Sequence, residues 1–245
     1  MEVRCPLKAQ WRLYHRPEQD RRRVLVASTG AGGDAATLLL APSRDARPDA
    51  ARRLNSATAR CDAPPMLATP AAPTLETPRL ILRGWRAEDF SPYAAMMADP
   101  DTARFITRRG RPLDAPQVWS EMAFLVGHWQ LLGHGMFVVE ERSTGAFVGR
   151  IGPLAPEGWP GFEIAWGLTR SARGKGYAAE AARAAIDWSF RTFDLDRIVS
   201  IIHPQNVASQ RVAERVGERR TAEQFTPFRE ACDIWELRRE DWQPA

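Results

Sequence analysis

Between a run of apolar residues and an amphipathic segment stands Arg173-Gly174-Lys175-Gly176-Tyr177-Ala178. Two glycines let the backbone approach a ligand closely. A helix starting there would offer unpaired N–H groups and the positive end of its dipole, a combination that suits a phosphate. Arg173 and Lys175 add charge, and Lys175 is the only lysine in residues 75–245. A glycine turn that merely joins a strand to a helix has the same composition, so the loop alone fixes no function. A second cluster, Gly30-Ala31-Gly32-Gly33 after Val24-Leu25-Val26, lacks the spacing of a dinucleotide or nucleoside-triphosphate loop and reads as a flexible connection. Cys5, Cys61 and Cys232 are far apart, odd in number and without His partners, so neither a disulfide framework nor a metal site is expected.

The elements that must hold the loop can be read on both sides of it. From Leu75 the chain takes on an α/β pattern. Leu80-Ile81-Leu82 predicts a strand, and a helix running to about Met97 starts at Glu88 and Asp89 with Pro92 in its first turn. Asp114 and Gln117 form a capping-box pair ahead of a helix whose apolar positions are Val118, Met122, Leu125 and Trp129, ending near Gly133. Met136–Glu140, Phe147–Ile151 and Phe162–Leu168 predict a three-stranded meander, the first two joined by Arg142-Ser143-Thr144-Gly145. After the glycine loop, Ala178, Ala182, Ile186, Phe190 and Phe193 line one side of a long helix, and Glu180, Arg183, Asp187 and Arg191 the other. Arg197–Ile202 is a β-branched strand; Asn206 is placed to cap a helix with Ala208, Val212 and Val216 on one face, and Gly217 suits its stop. Cys232–Leu237 reads as an edge or closing strand. Trp119, Trp129 and Trp166 are expected in the core, whereas Trp159, in the Gly152–Gly161 connection, is equally a substrate-loop residue or a loop anchor.

The chain has 245 residues, 44% apolar and 26% charged, which is room for one large domain or a smaller one with extensions. Its net charge of +4 is unevenly spread: residues 1–74 carry 12 basic and 7 acidic side chains, residues 75–245 carry 22 and 23. The basic excess belongs to the leader, so the folded part lacks the stripe that nucleic acid would require. Residues 1–74, rich in Arg, Ala, Pro and Asp, read as a disordered leader, and residues 1–65, ahead of Met66, as an upstream extension outside the native product. No stretch of 18 residues is uniformly apolar, and the N-terminal segment lacks the form of a signal peptide. A soluble, cytoplasmic protein without a membrane partner is expected.

The order of motifs is more specific than any one of them. Glu163-Ile164-Ala165-Trp166-Gly167-Leu168, then Arg173 to Ala181, then Asn206-Val207-Ala208-Ser209 and Glu214-Arg215-Val216-Gly217 resemble the GNAT family of acetyl-CoA-dependent N-acetyltransferases. Leu75-Glu76-Thr77-Pro78-Arg79-Leu80-Ile81-Leu82-Arg83 and the closing Leu237-Arg238-Arg239-Glu240-Asp241-Trp242 are similar to its branch that acetylates ribosomal-protein N-termini. The resemblance implies a single GNAT domain over residues 75–245. Its fold would be α/β (α+β): a mixed, mostly antiparallel sheet with helices on both faces, splayed between the family's fourth and fifth strands, here Phe162–Leu168 and Arg197–Ile202. Acetyl-CoA would enter the splay. The resemblance assigns it to Leu168, Arg173, Gly174, Lys175, Gly176, Tyr177, Ala178, Asn206 and Ser209, with no metal.

Family members transfer acetyl directly to an amine, which needs a base for the ammonium, donors for the oxyanion and a proton for the departing thiolate. The resemblance makes Glu163, at a strand start beside the cleft, the first candidate base; His203 is the second, since an unperturbed imidazole titrates near neutrality. The tyrosine that many members place four residues after the Ser209 position is here Ala213, which leaves Ser209 as the candidate proton donor. Glu218, where an aromatic is usual, weakens the expected packing of the last strands. The branch implies a protein N-terminal amine as acceptor and allows a homodimer. A small-molecule amine is the alternative, and Ala213 keeps open a third reading, an acyl-CoA-binding module without catalysis.

Overall fold

The computed structural model describes residues 72–228 and 230–244. The leader up to residue 71, with its glycine cluster, Cys5 and Cys61, lies outside the described residues. The described chain runs β1 (Leu75–Glu76), β2 (Leu80–Arg83), α1 (Phe90–Met97), α2 (Pro100–Ile106), α3 (Ala115–Leu132), β3 (Phe137–Glu141), β4 (Phe147–Leu154), β5 (Glu163–Leu168), α4 (Tyr177–Thr192), β6 (Arg197–Ile202), α5 (Val207–Val216), β7 (Arg219–Phe225) and β8 (Cys232–Arg238). The strands make one sheet in the order β1-β2-β3-β4-β5-β6-β8-β7, antiparallel throughout except for β5 against β6. Among the described residues this gives the mixed, mostly antiparallel sheet that the resemblance implies, with five α-helices.

Local chemistry accounts for most boundaries. Asp114 accepts from Gln117 N at 3.0 Å while Gln117 Oε1 accepts from Asp114 N at 3.1 Å, the reciprocal cap expected from that spacing. On α4 the alanines let the helix sit close to the sheet: Ala181, Ala182, Ala185 and Ile186 are fully buried against a core that includes Leu82, Phe137, Ile151, Ile164 and Ile198. Gly149 on β4 allows an equally close approach within the sheet, since a Cβ there would lie 2.2 Å from the Gly167 oxygen on β5. A buried ion pair ties β2 to α1: Arg83 donates to both oxygens of Asp89, at 2.8 and 2.7 Å, and also reaches Glu140 on β3.

Three expectations are corrected. Cys232–Leu237 belongs to an interior strand, β8, lying between β6 and β7. The edge is β7, whose sequence Arg-Arg-Thr-Ala-Glu-Gln-Phe carries no apolar alternation because it is exposed along most of its length. On α5 Ala208 is exposed rather than inward; the face turned inward runs through Ser209, Val212, Ala213 and Val216, the first two half-buried. Trp119 is 60% exposed on α3, while Trp129, ten residues on, is buried with its ring 4.9 Å from that of Phe137. The short helix α2 and the strand β1 had no counterpart in the sequence reading.

Candidate active site

The candidate site residues gather at the two ends of β5. At its C-terminal end, past a turn of 3-10 helix at Arg170–Ala172, the chain enters the glycine loop. Gly174 and Gly176 adopt φ of 77° and 82°, left-handed backbone that favours glycine, and Gly176 stands at the N-cap of α4 with no side chain capping it. The first N–H groups of α4 therefore receive no side-chain cap, which is the form that suits an anion. The loop is braced from below by the motif near the start of the domain. Arg79 donates to the Lys175 carbonyl at 2.9 Å and to Glu180 at 2.7 Å, and Thr77 donates to the same Glu180 at 2.6 Å. Tyr177 is held by Glu141 at 2.5 Å and lies under the Arg79 guanidinium.

The charges around this loop are arranged unequally. Arg173 points back to α2, reaching Asp99 at 3.3 Å and Thr102, while Arg170 pairs with Asp99 and Asp101. Lys175 is exposed, 5.6 Å above the Tyr177 ring, and forms no ion pair among the described residues. Leu168 ends β5, half-buried against the core.

At the N-terminal end of β5 lies a cavity of about 740 Å³. Glu163, His203, Asn206 and Ser209 all line it; Leu168 and residues 173–178 do not. The cavity exists because β5 and β6 part. Their register holds at a single pair, Glu163 with Val199, where Val199 N donates to Phe162 O at 2.9 Å. One step further the ladder is replaced by side chains: Ile201 N faces Glu163 Oε1 at 3.4 Å, and Ser200 Oγ donates to Ile164 O at 2.8 Å.

Glu163 is 6% exposed, and burial pushes its carboxyl up to about 7. Three contacts oppose that rise: the Trp159 indole N–H, which donates to Oε2 at 2.6 Å, the Ile201 N–H, and the charge of Arg150. Trp159 is thus the anchor of the carboxylate, and its ring also meets Phe225 of β7 at 5.3 Å. His203 is engaged at both nitrogens. Its Nδ1 accepts from Gln205 N at 3.1 Å, which places the hydrogen on Nε2, 2.5 Å from Glu230. Ser209 is set by the cap of α5, where Asn206 Oδ1 accepts from Ser209 N at 3.2 Å. Its hydroxyl accepts from the Trp166 indole at 3.1 Å, so the hydroxyl's own hydrogen remains to be given elsewhere. Trp166, expected in the core, is therefore half-buried at the cavity wall.

Sequence reasoning missed two groups here. Arg150, in the middle of β4, is 7% exposed; it donates to Glu121 at 3.0 Å, and Tyr93 donates to the same oxygen at 2.8 Å. An arginine inside an apolar strand was the signal that could have found it. Glu218, read as a loss to packing, is 3% exposed and in contact with Ser200.

The acetyltransferase (GNAT) domain model matches residues 79–219. The uncharacterised protein YkkB of Bacillus subtilis (strain 168) is 38% identical over 87 residues, 35% of this chain and 51% of that protein. The chain thus spans about half the length of this curated relative. Among solved structures, the acetyltransferase from Agrobacterium tumefaciens str. C58 is 35% identical with a TM-score of 0.62, over 69% of this chain and 96% of that one. The ribosomal-protein-S5-alanine acetyltransferase from Vibrio fischeri shares the fold at 19% identity, with a TM-score of 0.54 over 70% of this chain and all (100%) of that one. Among the described residues no helix is long and apolar enough to cross a membrane.

Proposed function

The chain belongs to the GNAT acetyltransferase family, and we propose that it is a cytoplasmic N-acetyltransferase moving acetyl from acetyl-CoA to a primary amine, its catalytic domain spanning residues 75–245. The observation that carries this reading is Glu163: a buried carboxyl poised near neutrality in a cavity that also holds a serine with a hydrogen to give. A base with a pKa near the working pH combines availability with proton affinity.

The residues present fit acetyl-CoA at both ends. The uncapped N-terminus of α4, Gly174, Gly176 and Lys175 suit its pyrophosphate, and Asn206 and Ser209 border the end where the thioester would lie. Six extended residues of β5 separate the two, about 16 Å between its end residues at 3.3 Å per step, which matches an elongated ligand. When bound, acetyl-CoA supplies the acetyl group as a thioester; the amine nitrogen bonds to the carbonyl carbon as the carbon–sulfur bond breaks. Glu163 takes the proton that the ammonium must lose. Ser209 gives its hydrogen to the departing sulfur and regains one from the nitrogen, which sheds its second proton on becoming an amide. His203 is the less available candidate, because one nitrogen accepts from Gln205 and the other turns its hydrogen to Glu230.

The acceptor class we favour is a protein α-amino group, supported by the branch resemblance at Thr77-Pro78-Arg79 and at the closing segment. Incubation of the full chain with acetyl-CoA and a panel of peptides bearing free N-termini, beside polyamines and amino acids, read by mass spectrometry, tests it. Acetylated peptide N-termini are expected. Acetylation of small amines alone would replace the acceptor, and no product with any amine, despite acetyl-CoA binding, would leave a binding module.

A further inference from the structure

Ser200 of β6 is buried, and its hydroxyl oxygen lies 2.8 Å from two acceptors at once: the main-chain oxygen of Ile164 on β5 and Oε1 of Glu218, two residues past α5. A hydroxyl carries one hydrogen. The Ile164 carbonyl has none to give, and it faces the point where β5 and β6 part, where the Ile201 N–H is already turned to Glu163. Both contacts are hydrogen bonds only if Ser200 donates to Ile164 and Glu218, as a carboxylic acid, donates to Ser200. The opposite assignment leaves the Ile164 oxygen bare and puts a charge on a group that is 3% exposed. The second oxygen of that group, Oε2, has no partner among the described residues. An unpaired buried charge is the costlier of the two outcomes.

We propose that Glu218 is a proton-holding positioning residue, whose hydrogen locks Ser200 to Ile164 and so fixes the spacing of β5 and β6 at the splay where acetyl-CoA enters. This rests on the reading of the splay as the acetyl-CoA site. Ser200 lines the cavity and Glu218 does not, so Glu218 acts through Ser200. Burial pushes its carboxyl up to about 8, a rise that the Ser200 hydrogen would oppose only if it turned to the carboxylate, and to which the charge of Glu163 on β5 adds. The cations near these strands are committed or exposed: Arg220 of β7 is held by Asp233 of β8 and Arg150 of β4 by Glu121, while Arg215 and Arg219 face solvent. Above its pKa the carboxylate competes with Ile164 for the one hydrogen of Ser200, and the pin is lost.

The test compares the full chain with Glu218→Gln, whose amide donates to Ser200 at every pH, and with Glu218→Ala. Melting temperature and acetyl-CoA affinity, by calorimetry, are measured from pH 5 to beyond the carboxyl's pKa of about 8. A proton held by the folded state stabilises below the unfolded pKa and ceases to do so as pH rises through the folded one. The melting temperature of the natural chain should therefore fall relative to Glu218→Gln by several degrees up to about pH 8 and then run parallel. Its acetyl-CoA affinity should drop about tenfold over the alkaline limb, the loss expected of one hydrogen bond, while Glu218→Gln shows no drop. Glu218→Ala, where it folds, should bind weakly at every pH. A constant difference in melting temperature, or an alkaline loss of affinity that Glu218→Gln keeps, overturns the role of Glu218 alone. Failure of the natural chain to bind acetyl-CoA at any pH overturns the cofactor reading and the service of Glu218 to it together.

Discussion

One end of β5 is exposed to solvent and the other holds buried carboxyls. At the loop the charge is borne by an exposed Lys175 and by backbone N–H groups, and Arg173 is shared with Asp99. At the splay, Glu163 and Glu218 are 6% and 3% exposed, and burial pushes their carboxyls to about 7 and about 8. The same chain thus handles charge in two ways. Where water is present it offers fixed dipoles and an exposed cation, which suit an anion without a change of protonation state. Where water is excluded it holds acids at the edge of ionisation, which bind little but can move a proton. The expected consequence is a division of labour: salt should govern the loop and pH the splay.

The largest expected effect lies at the buried end. Glu163→Gln should lower kcat/KM for acetyl transfer roughly 10²- to 10⁴-fold, the usual worth of a general base, with the Kd for acetyl-CoA nearly unchanged. Because the folded carboxyl titrates at about 7, kcat/KM of the natural chain should climb with pH through that value, and Glu163→Gln should lack the climb. A variant that keeps the activity, or keeps the pH limb, would break the assignment of base to the splay.

Burial beside the cavity should also govern stability. His128 of α3, whose Nε2 lies 3.4 Å from Ala155 N just past β4, is 5% exposed, and desolvation lowers its pKa to about 4 from an ordinary 6.5. Here the unfolded chain binds the proton that the folded one refuses, so the stabilisation is present above pH 6.5 and is lost as pH falls towards 4, by up to about 3 kcal/mol. Urea unfolding of the full chain across that window should show the acid slope, and His128→Asn should flatten it. The slope is opposite in sign to that of the two buried carboxyls, which lose stabilisation as pH rises above the ordinary 4.5. A slope that survives His128→Asn would mean that another group carries the acid transition.

At the exposed end the effects are smaller and salt-dependent. Lys175→Glu should weaken acetyl-CoA binding about tenfold at low salt and less at high salt, with kcat preserved at saturation. Arg173→Gln should weaken it less, since Asp99 already takes part of that charge. Equal losses in the two variants, unmoved by salt, would show that the loop recognises the ligand by shape alone.

The two ends were also unequally legible in the sequence. The loop is local: two glycines, a lysine and a helix start lie within six residues, so their spacing suited an anion site, although a plain glycine turn has the same composition. Its braces were harder to see, because Thr77 and Arg79 meet Glu180 across about 100 residues of sequence. The splay draws Glu163, Ser200, Ser209, Glu218 and Glu230 from separate elements, and its character comes from exclusion of water, which spacing does not report. Strong periodicity found α3, α4 and β6, whereas β7 was missed because an exposed edge strand needs no apolar pattern. Glu218 stood out in the sequence as a departure from an aromatic position, but only its distance to Ser200 turns that departure into chemistry.

The smallest change tests the division most sharply. Trp159 holds Glu163 through one indole N–H at 2.6 Å, a bond that favours the charged carboxylate and so restrains the rise caused by burial. Trp159→Phe keeps a ring to pack on Phe225 but removes that donor. The base should then titrate higher, by about one pH unit or less, as expected for the loss of one hydrogen bond to a charged group. At neutral pH fewer molecules carry the ionised base, so kcat/KM should fall several-fold, and above pH 8 most of the deficit should vanish. Acetyl-CoA affinity and its salt dependence should stay as they were, because the loop lies at the far end of the strand. A deficit that persists at alkaline pH would mean that Trp159 positions the acceptor rather than the proton.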